Sequence, residues 1–166
     1  MAPPEKGVGP SHPADAATPA QAMRELLEEV ADSLGLAADV RVTVAGDTLT
    51  GTLDGEELGL LIGRHGQTID ALQHIAQRTI AQFADAPARV VVDGGGYRAR
   101  RREALERRAQ EAADEAASSG RPVALEPLPA SERRLVHECL RDREDVETHS
   151  EGDEPARHLV VVARRS

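Results

Sequence analysis

Residues 60–72 contain the pattern with the most specific chemistry in this sequence. Two glycines three positions apart, Gly63 and Gly66, enclose Arg64 and His65. Because glycine has no Cβ, the backbone can take positive φ values there and another molecule can approach closely. The helix predicted to follow would begin with unpaired amides at the positive end of its dipole. Such a turn suits a phosphate, although the spacing alone also fits a plain connection between two helices.

A second pattern, Arg133 and His137, lies four residues apart on a helix predicted over about 130–141. The apolar residues of this helix form a stripe that we expect to face a small sheet: Leu135, Val136, Cys139 and Leu140. Arg133 and His137 are expected on the opposite face, where a guanidinium and an imidazole could together hold a phosphate. A solvated face with a mixture of helix-stabilising charges would produce the same spacing.

The elements that position the first pattern follow from hydrophobic periodicity. Thr18 and Gln21 predict a capped helix that ends at Gly35, and residues 40–53 alternate as a β-hairpin with its turn at 46–47. Asp54 with Glu57 predicts the start of a short helix before the loop. A longer helix should begin near Gln67 and bury one side, formed by Ile69, Leu72, Ile75, Ala76 and Ile80. A strand at 89–93 completes this region.

The remaining elements form a smaller unit that carries the second pattern. An Arg-, Glu- and Ala-rich helix is predicted over 98–118, ending before Gly120 and Pro122. A strand near 123–128, the helix near 130–141 and strands near 146–150 and 157–164 follow. Residues 1–17 contain four prolines and few large apolar groups, so we expect them to be a disordered lead.

Composition restricts the classes of function. The net charge is −9, but residues 23–60 hold two Arg against nine acidic residues, whereas 97–120 hold six Arg against five. The chain has one Phe, one Tyr and no Trp, which argues against base stacking on aromatic platforms. A single cysteine, no signal peptide and no long apolar run predict a soluble, cytoplasmic protein without membrane insertion.

Catalytic and metal-binding patterns find no support in the sequence. The six histidines and Cys139 lack the spacing of metal ligands, and residues 151–154 lack the alternation of a calcium loop. Residues 94–96 lack the Lys-Ser/Thr of a phosphate-binding P-loop. No Ser or Cys has an identifiable base and orienting partner. We therefore expect neither an enzyme nor a cofactor.

Taken with its context, the Gly63–Gly66 loop resembles the GxxG loop of KH domains, which clamps a nucleic-acid backbone. The element order helix-strand-strand-helix-helix-strand is similar to the bacterial, type II, KH arrangement. Arg133-x-x-x-His137 resembles the motif of the R-3-H domain, a module associated with single-stranded nucleic acids. Residues 93–102 and 145–155 resemble the same regions of the Jag (SpoIIIJ-associated, KhpB) family of bacterial RNA-binding proteins, in which KH precedes R-3-H.

The resemblance covers roughly residues 18–164 and implies an α+β fold. The expected divisions are a disordered lead over 1–17, a type II KH domain over 18–96, a connecting helix over 97–119 and a small α/β R-3-H domain over 120–166. The seventeen leading residues are too few for the Jag-N domain of longer members, and the resemblance therefore leaves open the roles that need that domain.

The resemblance also implies a ligand, partners and site residues. Single-stranded RNA, or alternatively DNA, would be held by its backbone at Gly63, Arg64, His65 and Gly66. A second contact would lie at Arg133 and His137. A smaller KH protein is the implied partner, and cell elongation and envelope homeostasis are the implied processes. The acidic residues of 23–60 support an alternative, a protein-interaction scaffold that uses the KH fold without important RNA contact.

Overall fold

The computed structural model of the protein describes residues 18–164, and the lead expected over 1–17 lies outside that range. The described chain forms two compact units, one made of residues 18–61 and 68–92 and the other of residues 62–67 and 93–164. The Gly63–Gly66 loop therefore belongs by its contacts to the second unit, although its flanking segments belong to the first.

The first unit contains helices α1 to α3 and a three-stranded sheet in the order β1-β2-β3. Its elements are α1 (Pro19–Ser33), β1 (Ala38–Ala45), β2 (Thr48–Gly55), α2 (Gly59–Ile62), α3 (Gln67–Ile80) and β3 (Arg89–Gly94). Strands β1 and β2 pair as an antiparallel hairpin, as their alternating pattern predicts.

Helix α1 begins with the predicted capping box and packs its apolar stripe on β2. The amide of Gln21 donates to the Thr18 hydroxyl at 3.2 Å, and the Thr18 amide donates to the Gln21 side chain at 2.9 Å. Gly51 of β2 leaves room for this helix, because a Cβ there would lie 3.3 Å from two atoms of Met23 and would also clash with Leu27. Met23 and Leu27 are fully buried as a result.

Two local expectations for the first unit are wrong. Asp54 does not cap a helix: it pairs with Asp39 in the hairpin, so its backbone is extended and α2 begins only at Gly59. Ile75 does not face the core and is 52% exposed. The buried stripe of α3 centres on Ile69, Leu72, Ala76 and Ile80. Ile75 lies about 100° around the helix from Ala76, outside that stripe.

The second unit packs two helices on an antiparallel sheet in the order β4-β6-β5. Its elements are α4 (Tyr97–Ser119), β4 (Val123–Pro127), α5 (Ala130–Leu140), β5 (Val146–Glu151) and β6 (His158–Ala163). Helix α4 contributes five residues to the core, namely Leu105, Ala109, Ala112, Ala113 and Ala116. Because four of these are alanines, its backbone can lie close to the other elements. The helix is thus an integral part of this unit.

An ion-pair network fastens α4 to the segment that leads into β5. The Arg143 guanidinium donates to both Asp145 carboxylate oxygens, at 2.8 and 2.6 Å, and to Asp114 and Gln110 of α4, at 2.9 and 3.0 Å. The hydrogen bond from Arg143 lowers the pKa of Asp145 from 3.8 to about 2. The folded protein therefore holds this carboxyl in its ionised form.

The depressed pKa of Asp145 predicts a pH-dependent stability. The pKa of Asp145 is lower in the folded protein than in the unfolded chain. The ionised Asp145 carboxylate therefore stabilises the fold fully above about pH 4, and this contribution is lost as the pH falls through about 2. Asp145→Asn should therefore be less stable than the wild type at pH 7, with the difference closing between pH 4 and pH 2. Urea denaturation followed by circular dichroism at a series of pH values measures this.

A matched control is Asp142→Asn, three residues earlier in the same segment. Asp142 is 96% exposed and lies 3.8 Å from Arg141. We expect this variant to follow the wild-type stability at every pH. A stability difference for Asp145→Asn that stays constant from pH 7 to pH 2 would contradict the assignment of Asp145 as the titrating group.

Candidate nucleic-acid interface

The backbone of the Gly63–Gly66 loop requires its two glycines. Gly63 has φ 71° and ψ 178°, a combination essentially confined to glycine, and Gly66 has φ 79°. The Gly66 amide donates to the Gly63 carbonyl at 3.2 Å and closes a 3₁₀ turn over Arg64–Gly66. His65 also takes a positive φ, 52°, which is uncommon for a residue with a side chain. The loop is therefore a tight, specified turn.

Arg64 presents a free positive charge at the tip of this loop. Its side chain is exposed. Within residues 18–164, its guanidinium has no hydrogen bond or ion pair. An unpaired guanidinium beside a glycine turn can make forked contacts with a phosphate. The contact of Arg64 with a nucleic-acid backbone stays a prediction.

His65 is held by a network that the sequence did not reveal. Its Nδ1 lies 2.9 Å from Nη2 of Arg101 on α4. Since a guanidinium only donates, Nδ1 is the acceptor, and the ring proton of the neutral histidine is on Nε2. Arg101 also donates twice to Glu132 of α5, at 2.8 Å each, and this hydrogen bonding raises the pKa of Arg101. Arg101 thus holds the imidazole in place within the second unit.

Beside the loop lies a cleft of about 550 Å³, which we call the proline cleft. Its lining consists of Arg64 and His65 of the loop, Gln67 at the start of α3, and the two segments 127–130 and 154–156. The loop thus forms one wall, and segments that contain Pro127, Pro129 and Pro155 form the others. All of these residues belong to the second unit.

Arg133 does not lie where the sequence placed it. It is buried, on the same side of α5 as Val136 and Leu140, rather than exposed on the opposite face. Its Nη1 donates to the Leu128 carbonyl and its Nη2 to the Glu154 carboxylate, both at 2.6 Å. The physical reason is that the long aliphatic stem covers apolar surface while the guanidinium finds acceptors in two loops. The guanidinium of Arg133 therefore makes its hydrogen bonds within its own unit.

His137 is exposed and lines a second depression of about 400 Å³, which we call the histidine hollow. Its Nδ1 lies 2.5 Å from the Thr148 hydroxyl. The hollow is lined by Ala130, Arg133, Arg134, His137, Thr148, His149, Ser150, Arg157 and Leu159. Arg133 and His137 therefore reach the same hollow, although only His137 is exposed there.

Arg157 is the residue at this surface that sequence reasoning missed. It is exposed, it lines the histidine hollow, and its guanidinium has no partner in the part of the chain that the structure describes. By contrast, Arg134 is paired with Glu138 and His149 with Glu151. The sequence offered only an arginine at the start of a predicted strand, and no local pattern distinguished it from the other arginines.

The described residues contain neither a cluster of potential metal ligands nor a helix that could span a membrane. No group of three or more His, Cys, Asp or Glu side chains between residues 18 and 164 could hold a metal ion. Cys139 accepts a hydrogen bond from Gln110 at 3.5 Å. Over the same residues, no helix has the length and apolar character needed to cross a bilayer.

Comparisons with known proteins identify the two domains of the chain. The family model of the KhpA/KhpB KH domain matches residues 24–93, and that of the R-3-H domain matches residues 103–163. The chain is 32% identical to the RNA-binding protein KhpB of Bacillus subtilis, over 89% of this chain and 72% of that protein. The chain belongs to the KhpB family.

Two further KhpB relatives have similar sequence identities to the chain. That of Clostridium symbiosum is 36% identical over 85% of this chain and 64% of its own length, and that of Lactiplantibacillus plantarum is 38% identical over 89% and 46%. The chain thus spans about half to two thirds of these two relatives. The family and the α+β fold with KH and R-3-H domains are confirmed. All three relatives are named as RNA-binding proteins rather than enzymes, as expected.

Proposed function

We propose that the protein is a non-enzymatic regulator that binds single-stranded RNA through the sugar-phosphate backbone. The observation that carries the proposal is the Gly63–Gly66 loop, which combines a glycine-dependent turn with the free guanidinium of Arg64. The KhpB relatives named as RNA-binding proteins support it. Single-stranded DNA is the alternative strand, since backbone contacts alone discriminate little between the two.

The second contact of the proposal is the histidine hollow. His137 and Arg157 offer a ring nitrogen and a free guanidinium there, whereas Arg133 supports the hollow from beneath through Leu128 and Glu154. The net charge of −9 and the scarcity of aromatic rings predict modest affinity and a shallow sequence preference. Two separated contacts would then share the binding of one strand.

Arg64→Asp tests the loop directly. Because the guanidinium has no partner within the described chain, the change should leave stability near wild type while replacing a phosphate contact with a repulsion. We expect affinity for a single-stranded RNA of about 12 nucleotides to fall about tenfold. The slope of log affinity against log salt should fall by about 0.7. Fluorescence anisotropy at several salt concentrations measures both.

Arg78→Asp is the matched control, since Arg78 is an exposed arginine of α3 and the change in charge is identical. For this variant we expect only the small loss of RNA affinity that a change in total charge produces. Equal affinities of Arg64→Asp and Arg78→Asp would show that the loop does not hold the strand, and the proposal would then be wrong.

The exposed apolar side chains of the first unit favour a second candidate function, a scaffold for protein assembly. Leu60, Ile75 and Val44 are 67, 52 and 64% exposed. Exposed apolar side chains indicate an association site where they lie together in one patch. A smaller KH protein is the proposed partner, and the joint KhpA/KhpB name of the matching family model supports it. Binding of RNA that does not weaken with added salt would favour the scaffold over the loop mechanism.

The cellular setting of the proposal follows from the family resemblance. RNA as the ligand makes the cytoplasm the proposed compartment. Cell elongation and envelope homeostasis are the processes that such a regulator would serve. Sequencing of RNA crosslinked to the protein in cells would identify the transcripts on which it acts.

A further inference from the structure

We infer that the proline cleft holds one base of the bound strand, and that this base carries an exocyclic amino group. The inference rests on the proposed function, which provides the strand, and adds to it a site for a base and a preference among bases. The cleft is formed by the Gly63–Gly66 loop on one side and by segments 127–130 and 154–156 on the other.

The walls of the cleft suit a base better than a phosphate. Six of its ten lining residues are apolar, namely Pro127, Leu128, Pro129, Ala130, Pro155 and Ala156. Pockets for small organic groups have this character, with a mainly apolar lining, a few polar groups and volumes of about 300–1,000 Å³. The cleft, at about 550 Å³, falls within that range. An unstacked base is the part of a single strand that combines a flat apolar face with polar edges.

The charges at the cleft indicate where the base and the phosphate of a bound nucleotide would lie. Arg64 provides a free guanidinium at the loop side. Glu154, in the lining segment 154–156, provides a carboxylate whose side chain is 58% exposed. Within residues 18–164, its Oε1 accepts from Arg133 and its Oε2 has no partner. A carboxylate repels phosphate, which places the backbone at Arg64 and the base toward Glu154.

Glu154 also decides which bases fit. An ionised carboxylate only accepts hydrogen bonds, and it pairs with an amino group such as N4 of cytosine. Uracil presents the O4 oxygen at the corresponding position, so its edge would face the carboxylate with a second acceptor. The cleft therefore favours cytosine over uracil, the two bases being otherwise alike in size.

The position of the cleft makes it continuous with the second contact. Ala130 lines both the proline cleft and the histidine hollow. Each depression also has in its lining a guanidinium without a partner in residues 18–164, Arg64 in the cleft and Arg157 in the hollow. A strand bound at Arg64 can thus pass over the cleft and reach His137 and Arg157 along one surface, with phosphates at both arginines and a base between them.

The test compares two RNAs of about 12 nucleotides, one of uridines only and one with a single cytidine at the centre. Anisotropy titrations use the wild type, Ala156→Leu, which fills the cleft without changing charge, and Ala81→Leu, an exposed control in the first unit. We expect the cytidine strand to bind about fivefold more tightly to the wild type and to Ala81→Leu. Ala156→Leu should bind both strands equally, and more weakly than the wild type.

A second variant protects the test against a local folding defect. Ala130→Leu fills the cleft from the exposed first turn of α5, and melting curves establish that each variant is folded. Equal binding of both strands by the wild type overturns the inference. The inference is also overturned if either Ala156→Leu or Ala130→Leu still prefers the cytidine strand. In these cases the proposed RNA binding stands. A wild type that binds neither strand overturns the proposed function together with the inference.

Discussion

Arg133→Ala is expected to lower the free energy of unfolding by about 2–4 kcal/mol, because the residue is a structural part of the second unit. Its guanidinium donates to the carbonyl of Leu128, a residue that is only 2% exposed, and Arg133 is itself buried on the side of α5 that carries Val136. Truncation leaves the carbonyl without its partner and opens a void. The contact with Glu154 adds little to this loss, since that carboxylate is 58% exposed.

Urea denaturation followed by circular dichroism measures the effect, and Arg134→Ala provides the control from the adjacent position. The side chain of Arg134 is 80% exposed and pairs along the helix with Glu138. Its removal should leave the stability close to that of the wild type. If Arg133→Ala were as stable as Arg134→Ala and yet lost affinity for RNA, the arginine would be a direct contact residue, as the sequence first predicted.

Gly66→Ala is expected to cost about 2–4 kcal/mol of stability and to weaken RNA binding at the same time. A non-glycine residue at φ 79° costs about 1–2 kcal/mol. The added Cβ would lie 2.8 Å from Cε1 and 3.1 Å from the hydroxyl of Tyr97, at the start of α4. Relief of that contact requires the loop to move, which displaces Arg64. Denaturation and anisotropy titration on the same preparation record the two losses.

Gly59→Ala is the matched control for this prediction. Gly59 begins α2, its φ is not positive, and a Cβ there would meet open space. Since alanine favours helix over glycine by up to about 1 kcal/mol, stability should stay unchanged or rise. Equal stabilities for Gly66→Ala and Gly59→Ala would mean that the loop tolerates a side chain, and the argument for a glycine-dependent turn would fail.

Much of the fold could be predicted because its causes lie close together in the chain. The capping box of α1 joins residues three apart, and the alternation of β2 is visible within eight residues. The helix-strand order and the two motifs then sufficed to identify the KH and R-3-H domains. Asp54 was misassigned because a cap and a strand end use the same polar residues, and pairing with Asp39 favoured the strand.

The sequence by itself determined the positions of Gly63 and Gly66, since a backbone that needs positive φ requires glycine wherever the rest of the chain lies. Only the tertiary structure decided how charged side chains are used. Arg101 meets Glu132 and His65 across separations of 31 and 36 residues. Arg133 is buried, whereas the guanidinium groups of Arg157 and Arg64 have no partner among residues 18–164. Local patterns cannot distinguish these arginines, because the partner of a long charged side chain depends on which segments packing brings within its reach.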